Sequence, residues 1–226
     1  MSECVGIIAA LPREIKPLVR GWREERLAGR VRVYTKGSAV VACAGMGAAR
    51  ATLAVEAAMA TKPITQLLSV GLAGACDPAL RVGEMVRAGV VIDAKSGERY
   101  NDSRYSQVLV TAQVVAGVKE KRRLYESYGA AAVDMEAATV ARLASARGVS
   151  FRAVKAISDE ADFEMQDLAR FATNDGQFRD VAFAAYAVVR PRLWGKVAVL
   201  ARNSSRAVEA LTRELQAILD LYQVRG

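Results

Sequence analysis

Short apolar runs, each closed by polar or glycine-rich residues, recur along the chain. Val5 to Ala10 is continuously apolar, the pattern of a strand covered on both faces. Leu11-Pro12-Arg13-Glu14 follows. Proline suits the first position of a helix, so Glu14 falls in a first helical turn just past a strand end. Arg30 to Thr35 and Ser38 to Ala44 predict an antiparallel hairpin turning at Lys36-Gly37. Gly45-Met46-Gly47 then leads into a helix through Met59. Thr65 to Val70 predicts a buried strand ending in Gly71-Leu72-Ala73-Gly74-Ala75, and Val86 to Ile92 another. Asp93 to Ser106 is polar and mixed in charge, and is expected to be a mobile loop. Val108 to Val115 reads as a strand or pocket wall, and Lys119 to Tyr128 as a charged helix.

The stretch from Ala131 to Asp162 organises the rest. Met135 to Ala146 has helical spacing, with Gly148 placed to stop the helix. Phe151 to Ile157 is a buried strand, with Ser158 and Asp159 at its carboxyl end. Ligands of open α/β sheets bind at such ends. Beyond Asp162 the pattern predicts helices at about 178–189, 193–201 and 205–222, the first broken by Pro191. The last has Ser204 as its N-cap and an apolar stripe of Val208, Leu211, Leu215, Ile218 and Tyr222.

Alternating strands and helices in 226 residues, 52% of them hydrophobic, fit one α/β domain spanning 1–226. The net charge of +8 is spread over scattered arginines with no interleaved aromatics, which argues against nucleic acid. The chain has no histidine, which excludes Ser–His and Cys–His nucleophile systems. Cys4, Cys43 and Cys76 form no CxxC. They read as buried thiols in a reducing compartment, so no metal and no cofactor are expected and a cytoplasmic location is the default. The seven-residue apolar run at the N-terminus is too short for a membrane span and lacks a basic lead-in. Gly45–Gly47 lacks the third glycine of a dinucleotide fingerprint and reads as a pocket-lining loop.

Three carboxylates, Glu14, Glu136 and Asp159, fall at element ends. Each also has a plain structural reading. Asp159 would cap the following turn, and the two glutamates are acids favoured in a first helical turn. Together they suit glycosidic-bond cleavage: one acid protonates the leaving group, one carboxylate stabilises an oxocarbenium sugar, and one serves water on the far face.

VGIIAALPRE, SVGLAGACDPALRVGEMV, AVDMEAATVA and AISDEAD stand in the order and rough spacing of the purine/uridine phosphorylase superfamily. The chain resembles most the 5'-methylthioadenosine/S-adenosylhomocysteine nucleosidases, over about residues 5 to 189, with a poor match across 93–113. The resemblance implies a three-layer α/β/α fold around a twisted mixed sheet, and the extra C-terminal helices in 191–226 extend beyond it. It also implies a homodimer or larger homo-oligomer acting on a small-molecule nucleoside. By the same likeness, Asp159 is similar to the acid that protonates purine N7, and Glu136 to the carboxylate holding the ribose hydroxyls. Met135 matches the residue under the ribose, with Ser158 beside the acid, and Glu14 the acid that positions or activates water. Ala73 and Gly74 on one side, and Gln113, Val114 and Val115 on the other, match the purine wall.

The phosphorylases that the chain resembles carry an Arg and a Ser or Thr where it has Ser69 and Leu72, which favours water over phosphate as nucleophile. Arg50, next to the Gly45–Gly47 loop, keeps an anion site open. Lack of histidine fits a substrate whose 5' hydroxyl is replaced by an apolar group. Three alternatives stand beside a nucleosidase: a purine nucleoside phosphorylase, a nucleosidase of a lipid-linked, adenosylhopane-like nucleoside, and a non-catalytic nucleoside-binding protein. The basic 191–226 tail is the one segment that would meet a membrane surface, although a helical cap on the fold is the plainer reading.

Overall fold

The computed structural model describes residues 4–164 and 191–224. The helix expected at about 178–189 lies outside the described residues. The strands are β1 (Val5–Ala9), β2 (Arg23–Leu27), β3 (Val31–Lys36), β4 (Ala39–Cys43), β5 (Gln66–Ala75), β6 (Met85–Asp93), β7 (Arg99–Asn101), β8 (Gln107–Thr111), β9 (Ala130–Asp134) and β10 (Ser150–Asp159). The helices are α1 (Pro12–Ile15), α2 (Ala48–Thr61), α3 (Val118–Tyr128), α4 (Ala137–Ala146) and α5 (Pro191–Val224).

All the strands share one mixed sheet. Its long strand, β5, forks. Gln66 to Ser69 pair with β1, whereas Gly74 and Ala75 pair with β9. The other edge of β5 pairs in parallel with β10 along most of its length. Because β10 continues through β6, β8 and β9 back to β5, part of the sheet closes on itself. A wing of β1, β4, β3 and β2 extends from the fork. The carboxyl ends of β1, β9 and β10 meet around the glycine-rich half of β5, and this fork creates the site.

The apolar periodicity explains the layers. One face of β1, β5 and β10 packs with Ile15, Leu18 and Val19 and with Ala207, Leu211, Leu215, Ile218 and Leu219 of α5. The opposite face of β1 packs with α2 and α4 through Ala51, Ala54, Val55, Val140 and Leu143. The three-layer expectation therefore holds, with the addition that the sheet curls into a ring.

Several elements differ from the sequence expectation. The expected break before Ser204 is absent: α5 is one helix, and Ser205 donates back to the Ala201 carbonyl at 3.0 Å inside it. Its stripe seals the core, which makes an uninterrupted helix the better packing solution. The Arg87 guanidinium clamps Glu214 with two 2.7 Å bonds and Tyr222 donates to Gln66, tying α5 to the sheet. Ala130–Asp134 is a strand although alanine favours helix; neighbours on both sides override the propensity. β2 is exposed throughout and charged, as suits an edge. The expected mobile loop contains β7, paired to β6. Among the described residues, no helix is long and apolar enough to cross a membrane.

Candidate active site

Glu14 is fixed by the turn that follows β1. Pro12 occupies the first position of α1 and Glu14 the third, so its carboxylate folds back over the helix N-terminus. The N–H groups of Ala10 and Leu11 donate to its Oε2 at 3.1 and 3.0 Å. The Leu72 N–H, from β5, donates to Oε1 at 3.4 Å. Burial pushes the Glu14 pKa up, against these N–H groups and the nearby cations Lys155 and Arg13. Gly71 makes this seat possible. Its φ is +131°, and a Cβ there would stand 3.1 Å from Glu14 Oε2.

Glu136 is the N-cap residue of α4 but does not cap it with its own side chain. The capping falls to Asp134, whose Oδ2 accepts the Ala137 N–H at 2.9 Å, and to Thr111, whose Oγ1 accepts the Ala138 N–H at 2.9 Å. Thr111 in turn donates to Asp134 Oδ1 at 2.7 Å. Glu136 is thus released toward the Gly45–Gly47 loop, where the Gly47 N–H donates to its Oε1 at 2.7 Å. Burial and the neighbouring Asp134 charge push Glu136 up to about 7, against Lys155 and the Gly47 N–H.

Lys155 balances this acidic group from the middle of β10. Its ammonium is 2.8 Å from Asp134 Oδ2 and donates to the Val70 carbonyl at 3.1 Å. Burial works against its charge, but Asp134, Glu136 and Glu14 outweigh it and raise its pKa.

Asp159 ends β10, where a register shift between Ile157 and Asp159 turns the side chain toward β5. Ser158 donates to its Oδ1 at 2.7 Å, and the buried ammonium of Lys121, on α3, donates to its Oδ2. Asp159 is buried against a cation.

All three carboxylates face one cavity of about 680 Å³. Met135, Ser158, Ala73, Gly74, Val114 and Val115 line it as expected. Gln113 does not: it is exposed beside the wall. Arg50 does not line it either, and its guanidinium donates to the Gly29 carbonyl at 2.6 Å. Ser69 is wholly buried below the site. Leu11, Arg13 and Pro17, and Leu200, Ser204, Ser205, Val208 and Glu209 of α5, also line the cavity. Among the described residues, no acidic, cysteine or histidine cluster could hold a metal, and all three cysteines are buried and free.

Sequence reasoning missed Lys121, Asp134 and Lys155. Lys155 left a signal, a charge set among Ala153, Val154, Ala156 and Ile157, which must be paired if the strand is covered. Asp134 stood inside the motif that carried Glu136. Lys121 is hidden in the run Lys119-Glu120-Lys121-Arg122-Arg123, where only the packing of α3 singles it out.

The family model of the phosphorylase superfamily matches residues 5–107 and 102–193. No curated protein sequence matches the chain. Solved structures resemble it over nearly their whole length. A futalosine hydrolase of Helicobacter pylori is 18% identical, covers 97% of this chain and 98% of its own, and has a TM-score of 0.72. A mutant of the 5'-methylthioadenosine/S-adenosyl homocysteine nucleosidase of the same organism, with 5'-methylthioadenosine in its active site, is 17% identical over 97% and 99%, with a TM-score of 0.72. An S-adenosylhomocysteine nucleosidase of Streptococcus pyogenes, in complex with 5-methylthiotubericidin, is 20% identical over 96% and 97%, with a TM-score of 0.65. At these identities the likeness is one of fold.

Proposed function

The chain belongs to the phosphorylase superfamily, and from that premise we propose that it hydrolyses the N-glycosidic bond of a purine nucleoside modified at the 5' position, releasing adenine. The observation that carries this reading is the seat of Glu14. The N–H groups of Ala10, Leu11 and Leu72, which could cradle an incoming phosphate, all donate to its buried carboxylate. A phosphate dianion placed there would meet a like charge in a low-dielectric pocket. A water molecule would meet a base whose pKa burial has raised.

The steps follow from the other two carboxylates. Asp159 delivers a proton to purine N7 as the bond to the sugar breaks. Glu136 accepts hydrogen bonds from the ribose hydroxyls and stabilises the developing positive charge. Met135 packs under the ribose, and Ala73, Gly74, Val114 and Val115 bracket the base. Water held by Glu14 adds to C1' and leaves its proton on that carboxylate. Adenine suits an Asp159 that offers acceptors to an exocyclic amine. Leu11, Pro17, Leu200 and Val208 offer apolar contacts that suit an apolar 5' group such as methylthio. Neighbours that carry 5'-methylthioadenosine and 5-methylthiotubericidin support a nucleoside ligand.

The test is base release from 5'-methylthioadenosine, S-adenosylhomocysteine, adenosine and inosine, with and without phosphate. The expected result is phosphate-independent adenine release from 5'-methylthioadenosine, lowered by about 100-fold or more in Asp159→Asn, the scale of a lost general acid. Release that requires phosphate would make the chain a phosphorylase. Tight nucleoside binding with no base released would make it a binding protein.

A further inference from the structure

Lys121 is the residue of the site that the mechanism above leaves without a task. It belongs to the most charged helix of the fold, yet its side chain is 1% exposed and turned inward. Its ammonium meets three acceptors: Asp159 Oδ2, the Glu160 carbonyl at 2.8 Å and the Phe163 carbonyl at 3.3 Å. An ammonium has three protons to donate, so each has an acceptor. Strand β5 stays bare to admit the pair. A Cβ on Gly74 would stand 2.9 Å from Asp159 Oδ2 and 3.0 Å from Lys121 Cε. Lys121 also lines the cavity beside Asp159.

This arrangement creates a difficulty for Asp159 acting alone. Its Oδ2 accepts from the Lys121 ammonium, and its Oδ1 lies 2.7 Å from the Ser158 hydroxyl, whose single proton has the Ala73 carbonyl at 3.3 Å as its other acceptor. An ionised carboxylate in that position has no proton of its own to give. The nearest ammonium proton to Asp159 is on Lys121. Lysine can give up a proton in a buried site, whereas arginine does not.

We infer that Lys121 holds the proton destined for the leaving base and passes it through Asp159, so that the ion pair acts as one acid. This deepens the nucleosidase reading and rests on it. The step balances as follows. An N–H bond of Lys121 breaks as an O–H bond forms on Asp159, and the Asp159 proton moves to purine N7. The C1'–N9 bond breaks, with its electron pair going to the base. Water adds to C1', and its proton goes to Glu14. The base leaves neutral, Lys121 is left as an amine and Glu14 protonated, and one proton returns from Glu14 to Lys121 through solvent when products depart. In this scheme Lys121 is a positioning and proton-holding residue, because it acts on the base through Asp159.

The experiment compares two leaving groups on one sugar. 5'-Methylthioadenosine needs its base protonated. The 4-nitrophenyl riboside carrying the same 5'-methylthio group leaves as a stable phenolate and needs no proton. Lys121→Met is expected to lose about 100-fold or more in adenine release but less than about tenfold in nitrophenol release, since proton delivery is the contribution removed. Lys121→Arg keeps the cation but cannot deliver the proton, and is expected to show the same split. Adenine release restored by arginine would mean that the cation merely neutralises Asp159, and would overturn the inference. Equal loss on both substrates in both variants would make Lys121 a structural prop, and would overturn it too. A wild-type chain that released neither adenine nor nitrophenol would instead refute the nucleosidase reading, and this inference with it.

Discussion

Glu136→Gln converts the electrostatics of the site into a stability measurement. In the folded chain Glu136 is pushed from its ordinary 4.5 up to about 7, first by burial and then by the charge of Asp134. Between those two values the folded state keeps a proton that the unfolded chain has released. Stability must therefore fall as pH rises through this window. At about 1.4 kcal/mol for each tenfold change, the cost by pH 8 is about 3 kcal/mol. Glu14 adds to the fall in the same direction. The chain has no histidine, and the Cys43 and Cys76 thiols are pushed up to about 12 by burial. Lys155 is raised beyond the ordinary lysine range. Glu24, Asp102 and Glu120 are lowered, so they act below the window. Glutamine keeps an acceptor for the Gly47 N–H but cannot ionise. Urea unfolding at pH 5, 6, 7 and 8 should show the wild type losing stability steadily, and the variant losing about 3 kcal/mol less across the range. At pH 8 the variant should be the more stable protein while its activity is low, because on the proposed mechanism the ribose contact has lost its charge. Parallel pH curves for the two proteins, or wild-type stability that rises with pH, would refute the reasoning.

Other consequences can be checked alongside. Glu14→Gln should lower the turnover of 5'-methylthioadenosine by about 100-fold or more, with a melting temperature close to wild type, since it removes a buried charge without changing shape. Gly71→Ala should destabilise the chain by about 1–3 kcal/mol, from a side chain forced into positive φ, and should cut activity by displacing Glu14; differential scanning calorimetry and the base-release assay read the two effects. Lys155→Met should be the most damaging single change near the site, costing about 3–5 kcal/mol by leaving Asp134 buried beside no cation, as chemical denaturation would show. Leu215→Ala, in the wholly buried seam between α5 and the sheet, should cost about 2–5 kcal/mol; an effect below 0.5 kcal/mol would mean that α5 is not part of the core.

Much of this protein was legible along the chain because the relevant signals are local. A buried strand is a short apolar run, a proline before Glu14 opens a helix, and a glycine at 148 ends one. These placed β1, the β3–β4 hairpin, β6, α3, α4 and β10 near their observed positions. They also put Glu14, Glu136 and Asp159 at element ends, where one cavity now collects them. What the local pattern left unread or misjudged is equally physical. Alanine-rich Ala130–Asp134 is a strand because β8 and β9 need each other's hydrogen bonds, and α5 runs unbroken because its stripe has a core to cover.

The sequence by itself determined the inventory: three carboxylates on three elements, no histidine, an apolar frame and the motifs of the family. Only the tertiary structure decided their states. Lys121 and Lys155 are two lysines among many until the ring of strands buries one against Asp159 and the other against Asp134. Burial removes the water that would otherwise screen them. It is the depth of a charge and the identity of its neighbour, 38 positions along the chain for Lys121 and Asp159, that set the three carboxylates apart.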